Sequence, residues 1–328
     1  MTNLGLLHRG SVKDIYRINA RELLFRFSDR YSIFDWGEMP DAIPHKGHAL
    51  ASMGCKFLEY LEHRGFKTHY LGRGDEPNSM RVRSVTVPRD GVSVYQARPT
   101  SILIPLEVIF RLGAPKGSSL LRRLKTEADW FAAGYDRVYK EGEFFKEVKI
   151  DFTTKLERQD RVLSDGEAKS LAGMNGQEWE ELKDKTKKIA AEIKTIFARF
   201  GAVLWDGKFE FAFDEERKII LVDSIGLDEM RLTFEGIPLS KELLRQYYLG
   251  SPWYLALSNA KETHPSEFKE YCKNALHAEP SPLPTGVVSA VSDLYGLVSS
   301  LILCEGEKRY LLQEKLRSAL RALTGGAP

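Results

Sequence analysis

Between Asp206 and Phe213 the chain alternates strictly, with Asp206, Lys208 and Glu210 at one parity and Phe209, Phe211 and Phe213 at the other. Successive side chains of a strand point to opposite faces, so this stretch reads as a strand with one charged and one aromatic face. A polar break from Asp214 to Lys218, a second apolar run over 219–222 and then Asp223 complete a hairpin. If Phe213 pairs with Lys218, Asp223 lies opposite Lys208 on the charged face. The same pattern also describes an amphipathic hairpin whose charged face is simply solvated. Elsewhere, apolar runs rich in strand formers predict strands over 12–18, 22–27, 82–87, 92–97 and 102–110, with a turn at Gly91. Phe57, Leu58 and Leu61 carry helical spacing, which predicts a helix over 49–64 that ends at Gly65. The sequence Gly117-Ser118-Ser119 marks a helix start, and Ser164 with Glu167 has capping-box spacing. The longest helical pattern runs over 179–200 and stops at Gly201. Residues 126–150 are aromatic and charged without a clear period. Helical stretches in the tail are broken by Pro280, Pro282 and Pro284.

Strands grouped early, then a helix, a hairpin and more helices, predict an α+β fold with antiparallel sheets rather than a doubly wound parallel one. The 328 residues suggest a β-rich lobe over 1–110 and an α+β lobe over 111–328. Apolar content of 43% and charged content of 29% are those of a globular chain with a sizeable core. A formal net charge of +2 gives no global field that would demand nucleic acid or a membrane surface. Cys55, Cys272 and Cys304 are odd in number and far apart, which argues against a disulfide framework and for a cytoplasmic setting. The N-terminus lacks a signal-peptide core, and no apolar run reaches the roughly 18 residues of a membrane span.

Several groups carry candidate chemistry. Carboxylates separated by a lysine on a stiff hairpin suit Mg²⁺, which takes one or two carboxylates plus phosphate oxygens. Gly10 opens a turn whose backbone can approach phosphate, with Lys13 projecting behind it; an ordinary β-turn fits as well. The loop from Ser28 to Asp35 carries two carboxylates and an arginine, and an Asx-capped turn explains it equally. Arg111 with Ser118 at a helix start can cradle a phosphate or carboxylate, or be a plain cap beside a surface arginine. Arg231, Lys241 and Arg245 complement an anionic substrate, or form a solvated basic face. The seven histidines show no metal-ligand spacing.

The order of these motifs is more specific than any one of them. Gly10-x-x-Lys13-Asp14-x-Tyr16, Ser28-Asp29-Arg30-x-Ser32-x-Phe34-Asp35 and Ile43-Pro44-x-Lys46-Gly47 resemble the opening of the SAICAR synthetase family. Pro105-x-Glu107-x-x-x-Arg111 with Gly117-Ser118, Thr153-Thr154-Lys155-Leu156-Glu157 and Asp206-x-Lys208-x-Glu210-Phe211 resemble its later signatures. The resemblance spans essentially the whole chain. It implies a two-lobed, kinase-like or ATP-grasp-like fold with ATP in the interlobe cleft. It implies a ligase that joins the carboxylate of 5-aminoimidazole-4-carboxy ribonucleotide to the amine of L-aspartate through an acyl phosphate. On that resemblance Gly10, Lys13, Glu210 and Asp223 would bind ATP, with Glu210 and Asp223 also holding Mg²⁺. Lys208, Asp206 and Lys155 would line the reacting centre, and Asp35, Arg111, Ser118, Arg231, Lys241 and Arg245 would bind substrate. The partners would be small molecules, and a homodimer stays open.

The chain also departs from the family pattern. Ser11 stands where a basic residue is usual, His45 replaces a glycine, and the spacer before Gly117 is one residue longer and includes Lys116. Gln159-Asp160-Arg161 replaces a His-Asp pair, Trp205 and Ala212 flank the Asp206 signature atypically, and Asp228 to Thr233 replaces a D-S-S-R-x-W-like run. Two other readings follow. One is a ligase repurposed for a different carboxylate and amine, as in nucleoside-type metabolism. The other is a non-catalytic nucleotide-binding protein, against which the retained Lys13, Lys208, Glu210 and Asp223 argue.

Overall fold

Among the described residues, helices and two antiparallel sheets make up the structure, in the α+β class that the segment order predicts. The computed structural model describes residues 4–88, 92–157 and 160–324. The chain begins with β1 (Gly5–Arg9), β2 (Lys13–Arg17), β3 (Glu22–Phe27), α1 (Lys46–His63), β4 (Tyr70–Arg73) and β5 (Ser79–Arg83). Next come β6 (Ile102–Leu103), β7 (Leu106–Gly113), α2 (Ser119–Arg123), α3 (Glu127–Ala132), β8 (Phe144–Thr154) and β9 (Val162–Leu163). Then follow α4 (Asp165–Leu171), α5 (Gly176–Ala198), β10 (Ala202–Phe213), β11 (Ile219–Val222) and β12 (Met230–Phe234). The tail holds α6 (Glu242–Tyr248), α7 (Pro252–Thr263), α8 (Phe268–Asn274), α9 (Thr285–Leu301) and α10 (Glu307–Thr324).

Two compact units result, one of residues 1–85, 224–227 and 236–328, the other of 86–223 and 228–235. The boundary expected at 110 therefore falls near 85, and the C-terminal helices join the N-terminal sheet. Packing explains the difference. The helix α1 lies against β3, β4 and β5 and also against α9, which carries α10. Leu294, Tyr295 and Val298 of α9 are buried, so this late helix covers an early one. The sheet of the first unit has the order β1-β2-β3-β5-β4. Strand β1 was not anticipated, because its five residues are all exposed and show no apolar face.

In the second unit the order is β12-β10-β7-β8-β9, with β6 and β11 also paired to β10. The helix α5 covers one side of this sheet. Its buried residues, Trp179, Leu182, Thr186, Ile189, Ala190, Ile193, Ile196 and Phe197, recur at helical spacing. They meet the aromatic face of β10, where Phe209, Phe211 and Phe213 are buried. Asn175 and Glu178 form the capping box that starts α5, and Ser164 with Glu167 caps α4 as the spacing predicts.

Three strand expectations change. Residues 92–97 form a 3-10 turn instead of a strand. The Tyr95 ring is buried there, its hydroxyl bonds the Leu103 carbonyl, and Arg98 turns the chain with a left-handed φ of 52°. The run over 82–87 stops pairing at Arg83, and Thr86 makes only an isolated parallel bridge to Ile102. Gly91 lies outside the described residues. The run over 102–110 splits into β6 and β7 at Pro105, which has no N–H to donate to a ladder.

The hairpin register also differs. Phe213 pairs with Ile219, not Lys218, and Glu210 pairs with Val222. Asp214 N donates to the Lys218 carbonyl, and Asp214 Oδ1 accepts from the N–H groups of Glu216 and Lys218. Arg217 adopts φ 59°, and a three-residue loop, one residue longer than expected, closes the hairpin. Asp223 therefore does not lie opposite Lys208. It follows the last strand residue with φ 64°, where the chain leaves the sheet.

Candidate active site

Strand register builds the site in the second unit. Asp206 lies opposite Arg111 on one side and Arg231 on the other, and Arg111 lies opposite Lys149. One step along, Lys208 faces Ile109, which faces Asp151, and beyond that Glu107 faces Thr153. Directly opposed residues share a face, so these side chains carpet the side of the sheet opposite α5. The charged face of β10 is therefore not a solvated surface. Asp206 is 4% exposed, Glu210 7% and Arg111 3%.

Two ion networks divide this face. In the first, the Lys155 ammonium lies 2.6 Å from Glu210 Oε1 and 3.4 Å from Glu107 Oε1. The Lys208 ammonium contacts the same Glu107 oxygen and lies 3.8 Å from Glu210. Burial acts to discharge Lys155, but Glu210 and Glu107 outweigh it and hold its pKa above the ordinary lysine range. Two ammonium groups thus balance two carboxylates.

The second network has an excess of cations. Arg111 Nε donates to Asp151 Oδ2 at 2.7 Å, and its Nη1 donates to Asp206 Oδ2 at 3.2 Å. Arg123 donates to the same Asp151 oxygen at 2.7 Å. Arg231 grips Asp206 with two nitrogens, Nε at 2.8 Å from Oδ1 and Nη2 against Oδ2. Three guanidinium groups meet two carboxylates, which leaves the cluster attractive to an anion. Burial opposes the Asp151 charge, yet Arg111 and Arg123 hold its carboxyl below the usual range. Asp206 and Glu210, which anchor the two networks on β10, stand four residues apart, about 13 Å along the strand.

The loop that follows β7 leads to Ser118, 1% exposed, whose Oγ caps α2 by accepting from Leu120 N at 3.3 Å. The helix α2 has only five residues, so the N-terminal cradle expected there rests on the arginines more than on a helix dipole. Beside it Ala114, Leu120, Trp130, Tyr135, Tyr139 and Phe145 form a small buried cluster. Asp223 extends from the strand position next to the Glu210–Val222 pair.

The remaining predicted residues lie in the first unit. Gly10 and Lys13 close the β1–β2 turn, with Gly10 N donating to the Lys13 carbonyl at 2.9 Å. A Cβ at Gly10 would stand 2.6 Å from that carbonyl oxygen, so the turn needs glycine. Lys13 Nζ is 3.4 Å from Ser224 Oγ and 4.8 Å from the Phe25 ring centre. The Ser28-Asp29-Arg30 loop supports this turn. Arg30 donates to the Gly10 carbonyl and to Asp14, while Asp29 accepts from the N–H groups of His45 and Gly47 at the start of α1. Asp35 is exposed and 2.7 Å from Lys261, and Lys241 and Arg245 act electrostatically on the same carboxylate. Arg245 also pairs with Glu242 at 2.8 Å.

Sequence reasoning gave no role to Glu107, Asp151 or Arg123. The signal was present for two of them. Glu107 and Arg111 share parity on β7, and Asp151 shares parity with Thr153 on β8, but single-strand alternation does not say which strands become neighbours.

Among the described residues no group of three or more His, Cys, Asp or Glu side chains gathers into a metal cage. Glu210 lies on β10 and Asp223 one position past its partner Val222, and carboxylates are the donor type that Mg²⁺ takes beside phosphate oxygens and water. No helix among the described residues is long and apolar enough to cross a membrane.

Comparison with known proteins gives the same direction as this geometry. The sequence profile of the SAICAR synthetase family matches residues 6–253. A protein of Archaeoglobus fulgidus, named provisionally as a phosphoribosylaminoimidazole-succinocarboxamide synthase, is 40% identical over 308 residues, spanning 87% of this chain and 91% of its own. The phosphoribosylaminoimidazole-succinocarboxamide synthase of Thermoplasma volcanium is 33% identical over 305 residues, spanning 90% and 97%. The SAICAR synthase of Saccharomyces cerevisiae, solved with SAICAR, shares the fold at a TM-score of 0.68 and 22% identity, covering 91% of this chain and 94% of that one. With a profile match over most of its length and relatives aligned nearly end to end, this chain belongs to the SAICAR synthetase family.

Proposed function

We infer that the protein is the ATP-dependent ligase that makes SAICAR in purine biosynthesis. It joins the carboxylate of 5-aminoimidazole-4-carboxy ribonucleotide to the amine of L-aspartate, with ATP converted to ADP and phosphate. Family membership supports the reaction, and one observation supports its place on this chain. A balanced lysine–carboxylate cluster and a cationic arginine cluster lie on one sheet face, their β10 carboxylates Glu210 and Asp206 about 13 Å apart along the strand. That span suits a substrate with a reacting carboxylate at one end and a phosphate at the other.

In this reading Arg111, Ser118 and Arg231 bind the anionic end of the ribonucleotide by charge-assisted hydrogen bonds. Lys155 and Lys208 stand at the reacting end, where each can turn from a protein carboxylate to the negative oxygens of a substrate. Asp206 fixes the Arg231 and Arg111 guanidinium planes through the bonds described above. Gly10 and Lys13 serve the nucleotide, the first by a close backbone turn and the second by its charge. Asp35, Lys241 and Arg245 are the further residues that this reading assigns to substrate binding. Glu210 and Asp223 would hold Mg²⁺, which supplies charge neutralisation between phosphate oxygens when bound.

The test is ADP release with Mg-ATP, the carboxy-ribonucleotide and L-aspartate, each omitted in turn, with the product weighed by mass spectrometry. Release that needs all three and yields the succinocarboxamide is expected. Release that needs only a different carboxylate or amine would replace this substrate pair.

A further inference from the structure

Among the described residues, Tyr135 is the tyrosine whose buried hydroxyl lacks a hydrogen-bond partner. Tyr31 and Tyr248 share their hydroxyls, Tyr70 donates to Glu59, Tyr95 to the Leu103 carbonyl and Tyr139 to Asp136. Tyr135 is 4% exposed, and its buried hydroxyl has no hydrogen-bond partner. Leaving a buried hydroxyl unpaired is costly, so its location carries information.

That location is fixed from two sides. Trp130 and Phe145 pack edge-on against the Tyr135 ring at 4.9 and 5.0 Å. Lys149, which lies opposite Arg111 in the sheet, places its ammonium 5.3 Å from the Tyr135 ring centre and bonds the Gly134 carbonyl at 2.6 Å. Lys149 thus ties the Tyr135 ring to the cross-strand row that carries Arg111. Asp151 Oδ2 takes Arg111 Nε and Arg123 Nη2, and the Tyr135 hydroxyl bonds to neither Asp151 oxygen. The guanidinium groups can only donate. The result is one idle O–H on the sheet face that carries the arginine donors.

We propose that Tyr135 is a further substrate-binding residue, whose hydroxyl donates to an oxyanion of the ribonucleotide held beside Arg111 and Arg123. This rests on the reading of the arginine network as the ribonucleotide's anion site. The bound oxyanion completes the hydroxyl that the free protein leaves unpaired, so the residue favours the loaded state over the empty one. The oxyanion is the ribonucleotide's phosphate or its carboxylate.

Tyr135→Phe keeps the ring and its packing and removes only the idle group. The expected result is a rise of about 10-fold in KM for the ribonucleotide, the size of one hydrogen bond to a charged group. KM for ATP and L-aspartate should stay within about twofold, and the Tm of the ligand-free protein should be unchanged or higher. The corresponding nucleoside, which lacks the phosphate, identifies the source. An effect on the ribonucleotide alone assigns the phosphate, and an equal effect on both assigns the carboxylate. An unchanged ribonucleotide KM overturns the proposal, as does a lowered Tm with all three KM values raised together, or a change confined to L-aspartate. Arg231→Ala is run alongside. If it weakens ribonucleotide binding while Tyr135→Phe does not, only the tyrosine assignment fails. If neither variant matters, the anion site itself has been misplaced.

Discussion

The Lys155 ammonium sits 2.6 Å from Glu210 Oε1 and 3.4 Å from Glu107 Oε1, so one cation from β8's end holds together two carboxylates from β7 and β10. Glu107 and Glu210 are both largely buried, and two such carboxylates repel strongly without a charge between them. Lys208 also reaches Glu107, but its distance to Glu210 is 3.8 Å, so it cannot fully replace Lys155.

Lys155→Met should therefore do more than remove a functional group. It breaks a buried ion pair without removing the opposing charges, a change that costs about 3–5 kcal/mol. Urea unfolding at neutral pH should show that loss, and ADP release should fall at least about 100-fold. Adding Glu210→Gln to the variant should recover part of the stability and none of the activity. Unchanged unfolding of the single variant would mean that Lys155 does not bridge the two carboxylates.

Asp223→Asn separates chemistry from fold. Asp223 has φ 64°, a left-handed conformation that Asn adopts about as readily as Asp. The backbone should stay in place, with Tm within about 2 °C of the parent. A neutral amide is a poor Mg²⁺ ligand, so turnover should fall about 100-fold or more and recover little with added Mg²⁺. Wild-type turnover in this variant would remove Asp223 from the metal site.

Much of the site was legible in the sequence because strand alternation is local. The parity of Asp206, Lys208 and Glu210 put them on one face, and the structure keeps them there. What alternation could not show was burial of that face, since the covering partners come from β7, β8 and β12, distant in sequence. The hairpin register was misread for a similar reason. Asp214 bonds the backbone of both Glu216 and Lys218, and that side-chain bonding, invisible to hydrophobic pattern, accompanies a loop one residue longer than the pattern suggested. The 92–97 segment shows the same limit from the other side. Val92, Val94 and Tyr95 look like a strand, yet the Tyr95 hydroxyl bond to Leu103 and the turn at Arg98 bend the chain into a 3-10 turn. The C-terminal helices carried no hint in their sequence that α9 would pack on α1.

Gly10→Ala tests the nucleotide role of the β1–β2 turn. A Cβ at this position would stand 2.6 Å from the Lys13 carbonyl oxygen, backbone against side chain, so the turn has to open. Arg30 holds the Gly10 carbonyl at 3.0 Å and resists the shift. The strand that carries Lys13 should move with the turn. KM for ATP should rise about 10-fold, by analogy with a displaced charge contact, while KM for the ribonucleotide stays within about twofold. Equal rises in both would argue against a nucleotide role for this turn.

Asp151 gives the second unit an acid-sensitive bond. Burial works against its charge, but Arg111 and Arg123 outweigh burial and lower its folded pKa. A carboxyl whose folded pKa is depressed binds protons more readily in the unfolded chain. Its contribution to stability is therefore complete above the unfolded value of about 3.9 and is lost as pH falls through the lower folded value. Asp151→Asn removes that contribution at every pH. The variant should be less stable than the parent from about pH 5 upward, and the gap should narrow steadily as the pH falls below about 4. Thermal unfolding followed across that range measures the gap directly. A gap that stays constant, or widens in acid, would show that the Arg111–Asp151–Arg123 bonds do not depend on the aspartate charge.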